Sequence, residues 1–154
     1  MRKTSDVPLY YNAVDILERN LAGRADKIAL YSPDRAMTFR QVSQEANQAG
    51  NALKRLGIRL GDFVGILSLD CPEWVTSFFG ALKIGAVAVG INTLLTPSEY
   101  AYILRDCRAR TLIVHESLLP MIEEIREGQS FLERVIVIGR PAREGDLAFR
   151  DWIG

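Results

Sequence analysis

Cysteine and histidine are scarce in this 154-residue sequence. There are two cysteines, Cys71 and Cys107, and one histidine, His115. The cysteines lie far apart and neither belongs to a Cys-x-x-Cys pair, so no structural zinc framework can be assembled. They read as two buried free thiols in a reducing cytosol. A charge surplus is missing as well, because Lys plus Arg number 19 and Asp plus Glu number 19. Zero net charge speaks against a general nucleic-acid binder, which carries a basic excess, although a local basic patch stays possible. The start, Met1 to Pro8, has basic residues with no apolar run behind them, which excludes a signal peptide. Phosphate-binding glycine loops are also lacking: neither Gly-x-x-x-x-Gly-Lys-[Ser/Thr] nor Gly-x-Gly-x-x-Gly occurs. Gly80 and Gly85 have the first spacing, but Ala86 and Val87 stand where Lys and Ser or Thr are needed. That segment also reads as a helix running into a strand, the reverse of the order that aims backbone amides at phosphate.

What is present is the composition of an ordinary soluble globular protein, 48% hydrophobic and 25% charged. It excludes a disordered tail, a collagen-like fibre and a disulfide-stapled miniprotein. A chain of this length suits one domain and can bury roughly 70% of its unfolded surface. One apolar stretch, Trp74 to Leu95, is 22 residues long with the single charge Lys83. Its length would permit a membrane span, but the central lysine and the breaks at Gly85 and Gly90 favour a buried helix followed by a buried strand.

Along the chain, Asn12 is placed to cap a first helix with Ile16, Leu17 and Leu21 on one face. Ile28 to Tyr31 reads as a short strand, Ser32 to Arg35 as a turn, and Met37 to Phe39 as a second strand or a helix entry. Thr38 and Gln41 have capping-box spacing. Val42, Ala46, Ala49, Leu53 and Leu56 then mark one helix face, ended by Gly57 as a left-handed cap. Phe63 to Leu67 is an apolar run without alternation, as in a strand buried on both faces. Asp70 or Cys71 is expected to cap the next helix, with Pro72 in its first turn, Glu73 completing a box, and Trp74, Val75, Phe78, Phe79 and Leu82 as its apolar stripe. Ala86 to Ile91 reads as a buried strand. Thr96-Pro97-Ser98-Glu99 starts a helix whose inner face is Tyr100, Ile103, Leu104 and Cys107. Thr111 to Val114 is a strand, Ser117 opens a helix with Leu118, Met121, Ile122 and Ile125 inward, Val135 to Ile138 is a strand, and Leu147 to Ile153 is one or two helical turns.

The buried strands begin at 63, 86, 111 and 135, a near-constant step of 23 to 25 residues. No Leu-x-x-Leu-x-Leu signature recurs, which sets aside a leucine-rich solenoid. Buried strands alternating with amphipathic helices predict an α/β fold, a doubly wound and mostly parallel sheet flanked by helices, with the first strands as a possible antiparallel edge. No linker or low-complexity segment divides residues 1–154, so a single α/β domain is expected.

On such a fold chemistry belongs at the carboxyl ends of the strands, near a topological switch point. The candidate loops are Ser68 to Cys71, Asn92 to Thr96, His115 to Ser117 and Gly139 to Pro141. Asp70 and Thr96 read as helix caps rather than catalysts. Cys71 stands at a helix start, where the dipole could lower its pKa, but no histidine or second cysteine follows in register. His115 and Glu116 could be a base and its orienter, yet adjacent residues at a strand end point to opposite sides. Asn92 could bond a ligand or its own turn; the turn is the expectation. Residue chemistry alone identifies no enzyme.

Met37-Thr38-Phe39-Arg40-Gln41-Val42 resembles the first core motif of adenylate-forming (AMP-binding) enzymes, Leu-Thr/Ser-Tyr-x-Glu-Leu. Ala81 to Val89 resembles their second, Leu-Lys-x-Gly-x-x-x-x-Pro. Leu53 to Val64 and the stretch around Glu73-Trp74 match the superfamily's opening, in order and at similar spacing. Asn92 to Thr96 with Tyr100 to Leu104, and Tyr11-Asn12-Ala13 with Glu18 to Leu21, most resemble the benzoate–CoA ligase branch. Gln41-Val42 replaces Glu-Leu in the first motif, and Val89-Gly90 stands where proline is common in the second; both positions are structural.

The resemblance implies the amino-terminal scaffold of an acyl-CoA synthetase. Such an enzyme activates an aryl or medium-size carboxylic acid with Mg and ATP to an acyl-adenylate and passes the acyl group to CoA. In that family the phosphate loop, the later aromatic-and-acidic motif, the ribose-binding aspartate and the catalytic lysine lie elsewhere, and the loop is expected shortly after Gly154. No catalytic, cofactor-binding or metal-binding residue is therefore assigned to this chain, and ATP, Mg and CoA belong to the parent enzyme. The expected partners are the remainder of the ligase and its small acid substrate, with no nucleic acid, no membrane span and a possible homodimer, in the cytoplasm. The alternatives are a non-catalytic α/β protein-interaction module and a flavodoxin-like small-ligand binder.

Overall fold

The computed structural model describes residues 11–154, so the reading of Met1 to Pro8 lies outside the described residues. Two short helical turns, α1 (Asp15–Glu18) and α2 (Leu21–Arg24), lead into an antiparallel hairpin of β1 (Ile28–Tyr31) and β2 (Ala36–Thr38). There follow α3 (Phe39–Arg55), β3 (Phe63–Leu67), α4 (Pro72–Lys83), β4 (Val87–Gly90), α5 (Pro97–Asp106), β5 (Thr111–His115), α6 (Leu119–Glu123), β6 (Arg134–Ile138), β7 (Leu147–Ala148) and α7 (Phe149–Ile153). The last five strands form one sheet in the order β4-β3-β5-β6-β7, and every neighbouring pair is parallel.

The uninterrupted apolar runs of β5 and β6 have a direct cause. Ile113, Ile136 and Ile138 enter one core with Leu53, Val64, Phe149 and Trp152, beneath α3, α4 and α7. Their sequence neighbours Leu112, Val114, Val135 and Val137 enter a second core with Tyr100, Leu104 and Ile122, beneath α5 and α6. Side chains alternate across a strand, so a sheet covered on both faces needs apolar residues at every position. At the amino-terminal end of the sheet, Arg110 is held by Asp62 at 2.6 Å and Glu133 at 2.9 Å and donates to the Gly57 carbonyl. One guanidinium thereby ties together the loops that enter β3, β5 and β6.

Several local expectations hold. Thr38 and Gln41 form the reciprocal capping box of α3, and Gly57 closes that helix region with φ +82°. Others need correction. The first helix is two separate turns, with Leu17 buried and Ile16 exposed, and Asn12 makes a local turn with the Val14 N–H instead of capping. The hairpin is its own two-stranded sheet, not an edge of the large one. The final segment begins with the short strand β7 before its helix.

The largest correction concerns α4. Its buried residues are Pro72, Glu73, Thr76, Ser77, Gly80 and Ala81, whereas Trp74, Val75, Phe78, Phe79 and Leu82 are only partly covered. The reason is the closeness of α3. A Cβ on Gly80 would stand 2.8 Å from the Ala46 carbonyl oxygen and 2.9 Å from the Gly50 nitrogen, so the two backbones meet through small residues. The aromatic side chains are displaced to the flanks of that crossing, where Trp74 and Phe78 stack at 5.2 Å. Neither is Ala86 to Ile91 buried on both faces: β4 is an edge strand with Val87 and Gly90 exposed.

Candidate functional site

The sheet starts at β3, places β4 on one side and winds β5, β6 and β7 outward on the other. This is the flavodoxin-like order, whose switch point lies at the carboxyl ends of β3 and β5. The candidate residues Ser68 to Cys71 and His115 to Ser117 are thus brought to the ends of adjacent strands.

Each of these loops is engaged with itself or its neighbour. Cys71 is the N-cap of α4, but no side chain caps that helix start. Its thiol lies 3.3 Å from the Ser68 hydroxyl, and burial pushes its pKa up, against the dipole effect anticipated from position alone. Cys71 is therefore a protonated, half-buried thiol. Both cysteines are free but only partly buried, a correction to the fully buried reading. His115 turns Nδ1 onto Ser117, accepting from its backbone N–H at 3.2 Å with the Ser117 hydroxyl at 2.8 Å. Glu116 faces the other way and accepts the Arg140 N–H at 2.7 Å. The two residues do not form a dyad. Gly139, at φ +115°, permits this closure, because a Cβ there would collide with the Glu116 carboxyl. Asn92 accepts the Leu94 N–H at 3.0 Å, a local turn as expected. At the start of α5 the Glu99 carboxylate accepts both the N–H and the hydroxyl of Thr96 at 2.8 Å.

A cavity of about 490 Å³ opens beside the end of β3, between the hairpin and the start of α4. Leu30, Pro33, Trp74 and Val75 give it an apolar wall, with Asp70 and Cys71 at its polar side. The Glu73 carboxylate acts on the thiol and raises its pKa further, and among the described residues no group of three or more His, Cys, Asp or Glu side chains could hold a metal ion.

The densest charge cluster lies elsewhere and was not anticipated. Arg35, from the hairpin turn, donates to both carboxylate oxygens of Glu45 at 2.9 Å and to Glu73 at 3.0 Å. Arg150 reaches the same two carboxylates, at 3.3 Å to Glu45 and in close contact with Glu73. Thr76 donates to Glu45 at 3.2 Å. Burial alone would raise the Glu45 pKa, but the hydrogen bonds and charge of Arg35, with Arg150 and Thr76, hold it below the ordinary carboxylate value. The signal was available in the sequence, since Glu45 falls on the same helix face as Val42 and Ala49. Two cations and two anions compensate each other, and the cluster fastens the hairpin, α3, α4 and α7 together.

The geometry gives structural caps, a half-buried thiol whose ionisation is disfavoured and a balanced ion cluster. Comparison with known proteins supplies what it stands beside. A family model described as AMP-binding enzyme matches residues 17–151. The benzoate–CoA ligase of Thauera aromatica is 38% identical over 145 residues, covering 92% of this chain and 27% of the relative. The 4-hydroxybenzoate–CoA/benzoate–CoA ligase of Rhodopseudomonas palustris is 34% identical over 131 residues, covering 84% and 24%. The crystal structure of the anthranilate CoA ligase AuaEII in complex with anthranoyl-AMP superposes with a TM-score of 0.95 at 68% identity, covering 99% of this chain and 29% of that one. The chain spans about a quarter of the length of the curated relatives it matches.

Proposed function

The chain belongs to the AMP-binding enzyme family, and on that premise we propose that it is the amino-terminal scaffold of an aryl acid–CoA ligase. The carrying observation is the 0.95 superposition at 68% identity on an anthranilate CoA ligase. In the parent enzyme the acid carboxylate attacks the α-phosphate of ATP, giving the acyl-adenylate and pyrophosphate. The CoA thiol then displaces AMP to give the acyl-CoA. Benzoate-type acids are the proposed substrates, with the cytoplasm as the location; among the described residues no helix is long and apolar enough to cross a membrane.

The residues of this chain do not fit a nucleotide triphosphate and its cation. The two helices that follow β3 and β4 carry Glu73 and Glu99 in their first turns, which opposes the anion-binding character of a helix start. No step is therefore assigned to them. The reacting groups belong to the remainder of the ligase, and the role of this chain is to hold a sheet and its flanking helices in place.

The test is acid-dependent ATP–pyrophosphate exchange by the purified 154-residue chain with benzoate or anthranilate. None is expected; exchange above the no-acid background overturns the scaffold reading. The strand order by itself also suits a flavodoxin-like binder. For that alternative a thermal-shift titration with flavin mononucleotide is decisive, and the scaffold reading expects an unchanged melting temperature.

A further inference from the structure

The even charge of the whole sequence hides a local imbalance at α1 and α2. Between Tyr11 and Lys27 every carboxylate is engaged. Asp15 accepts from the Tyr11 hydroxyl at 3.3 Å, Glu18 pairs with Lys83 at 2.7 Å, and Asp26 pairs with Arg40 at 3.1 Å. Arg19 and Arg24 are exposed, and among the described residues neither has a carboxylate within ion-pair distance. Both line one open cavity of about 730 Å³. The other lining residues are Ile16, Asn20, Gly23 and Phe39, so no acidic side chain faces the two cations. Ile16 keeps 52% of its surface in solvent, although its neighbour Leu17 is buried. Phe39 is the first residue of α3 and rests on the small core of Leu17, Met37, Val42 and Ala46, which fixes its place in the wall. No atom lies within 4 Å of a Cβ placed on Gly23, so the space beside that backbone is open. A cavity with an aliphatic wall, an aromatic wall and two guanidiniums is complementary to an anion that carries an apolar body.

We propose that this cavity is a binding site for an aromatic carboxylate, with Arg19 and Arg24 meeting the carboxylate and Ile16 and Phe39 meeting the ring. The choice of a benzoate-type acid rests on the scaffold reading; the site itself rests on the cavity and its charge. An inorganic anion satisfies the cations but leaves the apolar walls in water. A neutral aromatic amide covers the walls but leaves the guanidiniums without a counter-charge. The aryl carboxylate meets both. No covalent step is involved, and the acid is held as its anion. The occupant spans α1, α2 and the start of α3, so its binding stabilises the folded chain by mass action.

The test is a titration of the 154-residue chain with benzoate at neutral pH, followed through its backbone amide spectrum. The Asn20, Gly23 and Arg24 amides should shift saturably in the millimolar range, and the melting temperature should rise with benzoate concentration. Benzamide and inorganic phosphate are the controls, and neither should saturate these amides over the same range. Arg19→Gln combined with Arg24→Gln removes both cations without breaking an ion pair among the described residues. The double variant should keep the melting temperature of the unliganded chain while its affinity for benzoate falls about tenfold or more. Benzoate shifts that do not saturate, or that persist unchanged in the double variant, overturn the site. Phosphate binding as tight as benzoate, or benzamide binding as tight as benzoate, overturns the assignment to an aromatic carboxylate. The scaffold reading is tested by ATP–pyrophosphate exchange and is untouched by any of these outcomes.

Discussion

Glu45 shows how a single residue carries structural weight in this chain. Its carboxylate joins Arg35 to Arg150, which are 115 positions apart in sequence, and its side chain keeps only 9% of its surface exposed. Glu45→Gln leaves two guanidiniums short of a counter-charge. The expected loss is about 2–3 kcal/mol in urea unfolding, below the largest values for buried pairs because both arginines keep part of their surface in water. The pH dependence has a definite sign. The folded pKa of Glu45 lies below its ordinary 4.5, so the stability it contributes is complete above that pH and is lost as pH falls through the lowered folded value. The difference in urea midpoint between wild type and Glu45→Gln should stay constant from about pH 6 to 8 and shrink under acid conditions; a gap that widens on acidification contradicts this account. Cys71 teaches the complementary lesson. Position at a helix start suggested activation, and burial reverses it.

At the scale of elements, the α3–α4 crossing decides how the helices are oriented. Gly80→Ala forces a Cβ into the Ala46 carbonyl and the Gly50 amide, and should cost about 1–3 kcal/mol through overpacking. Gly23→Ala is the internal control. No atom lies within 4 Å of a Cβ at Gly23, in α2, so that change should be neutral or stabilising by up to about 1 kcal/mol. Equal destabilisation by both substitutions would mean that the close approach is not the cause. The same crossing explains what was legible in the sequence. The centres of β3, β5 and β6 and the start of α3 could be read directly, because a two-faced sheet and a capping box leave local marks. The facing of α4 could not, because helical periodicity assigns the largest apolar residues to the core. Here backbone proximity selects Gly80 and Ala81 instead. The edge position of β4 was likewise hidden, since its run of apolar residues has the same composition as a buried centre strand. The loops at the strand ends read correctly as caps and turns at Asn92 and Thr96, but of the Arg35–Glu45–Glu73–Arg150 cluster only the inward placement of Glu45 is marked by spacing, and its partners come from distant elements.

For the whole molecule, the proposed scaffold role rests on the match to longer ligases and not on the scarcity of cysteine and histidine or the even charge. The loop after β5 bonds to the loop after β6, burial disfavours ionisation of the thiol beside the cavity, and the helix starts carry glutamates. The fold is nevertheless that of ligases which form an acyl-adenylate, in a chain matching about a quarter of their length. The most direct test compares anthranilate-dependent ATP–pyrophosphate exchange in the chain alone and in a chimaera in which it replaces the matched 29% of the anthranilate CoA ligase. The account predicts silence from the chain and exchange within about tenfold of the parent enzyme from the chimaera, a difference of no more than about 1.4 kcal/mol in barrier. Exchange by the isolated chain, or a soluble chimaera that gives none, would contradict it.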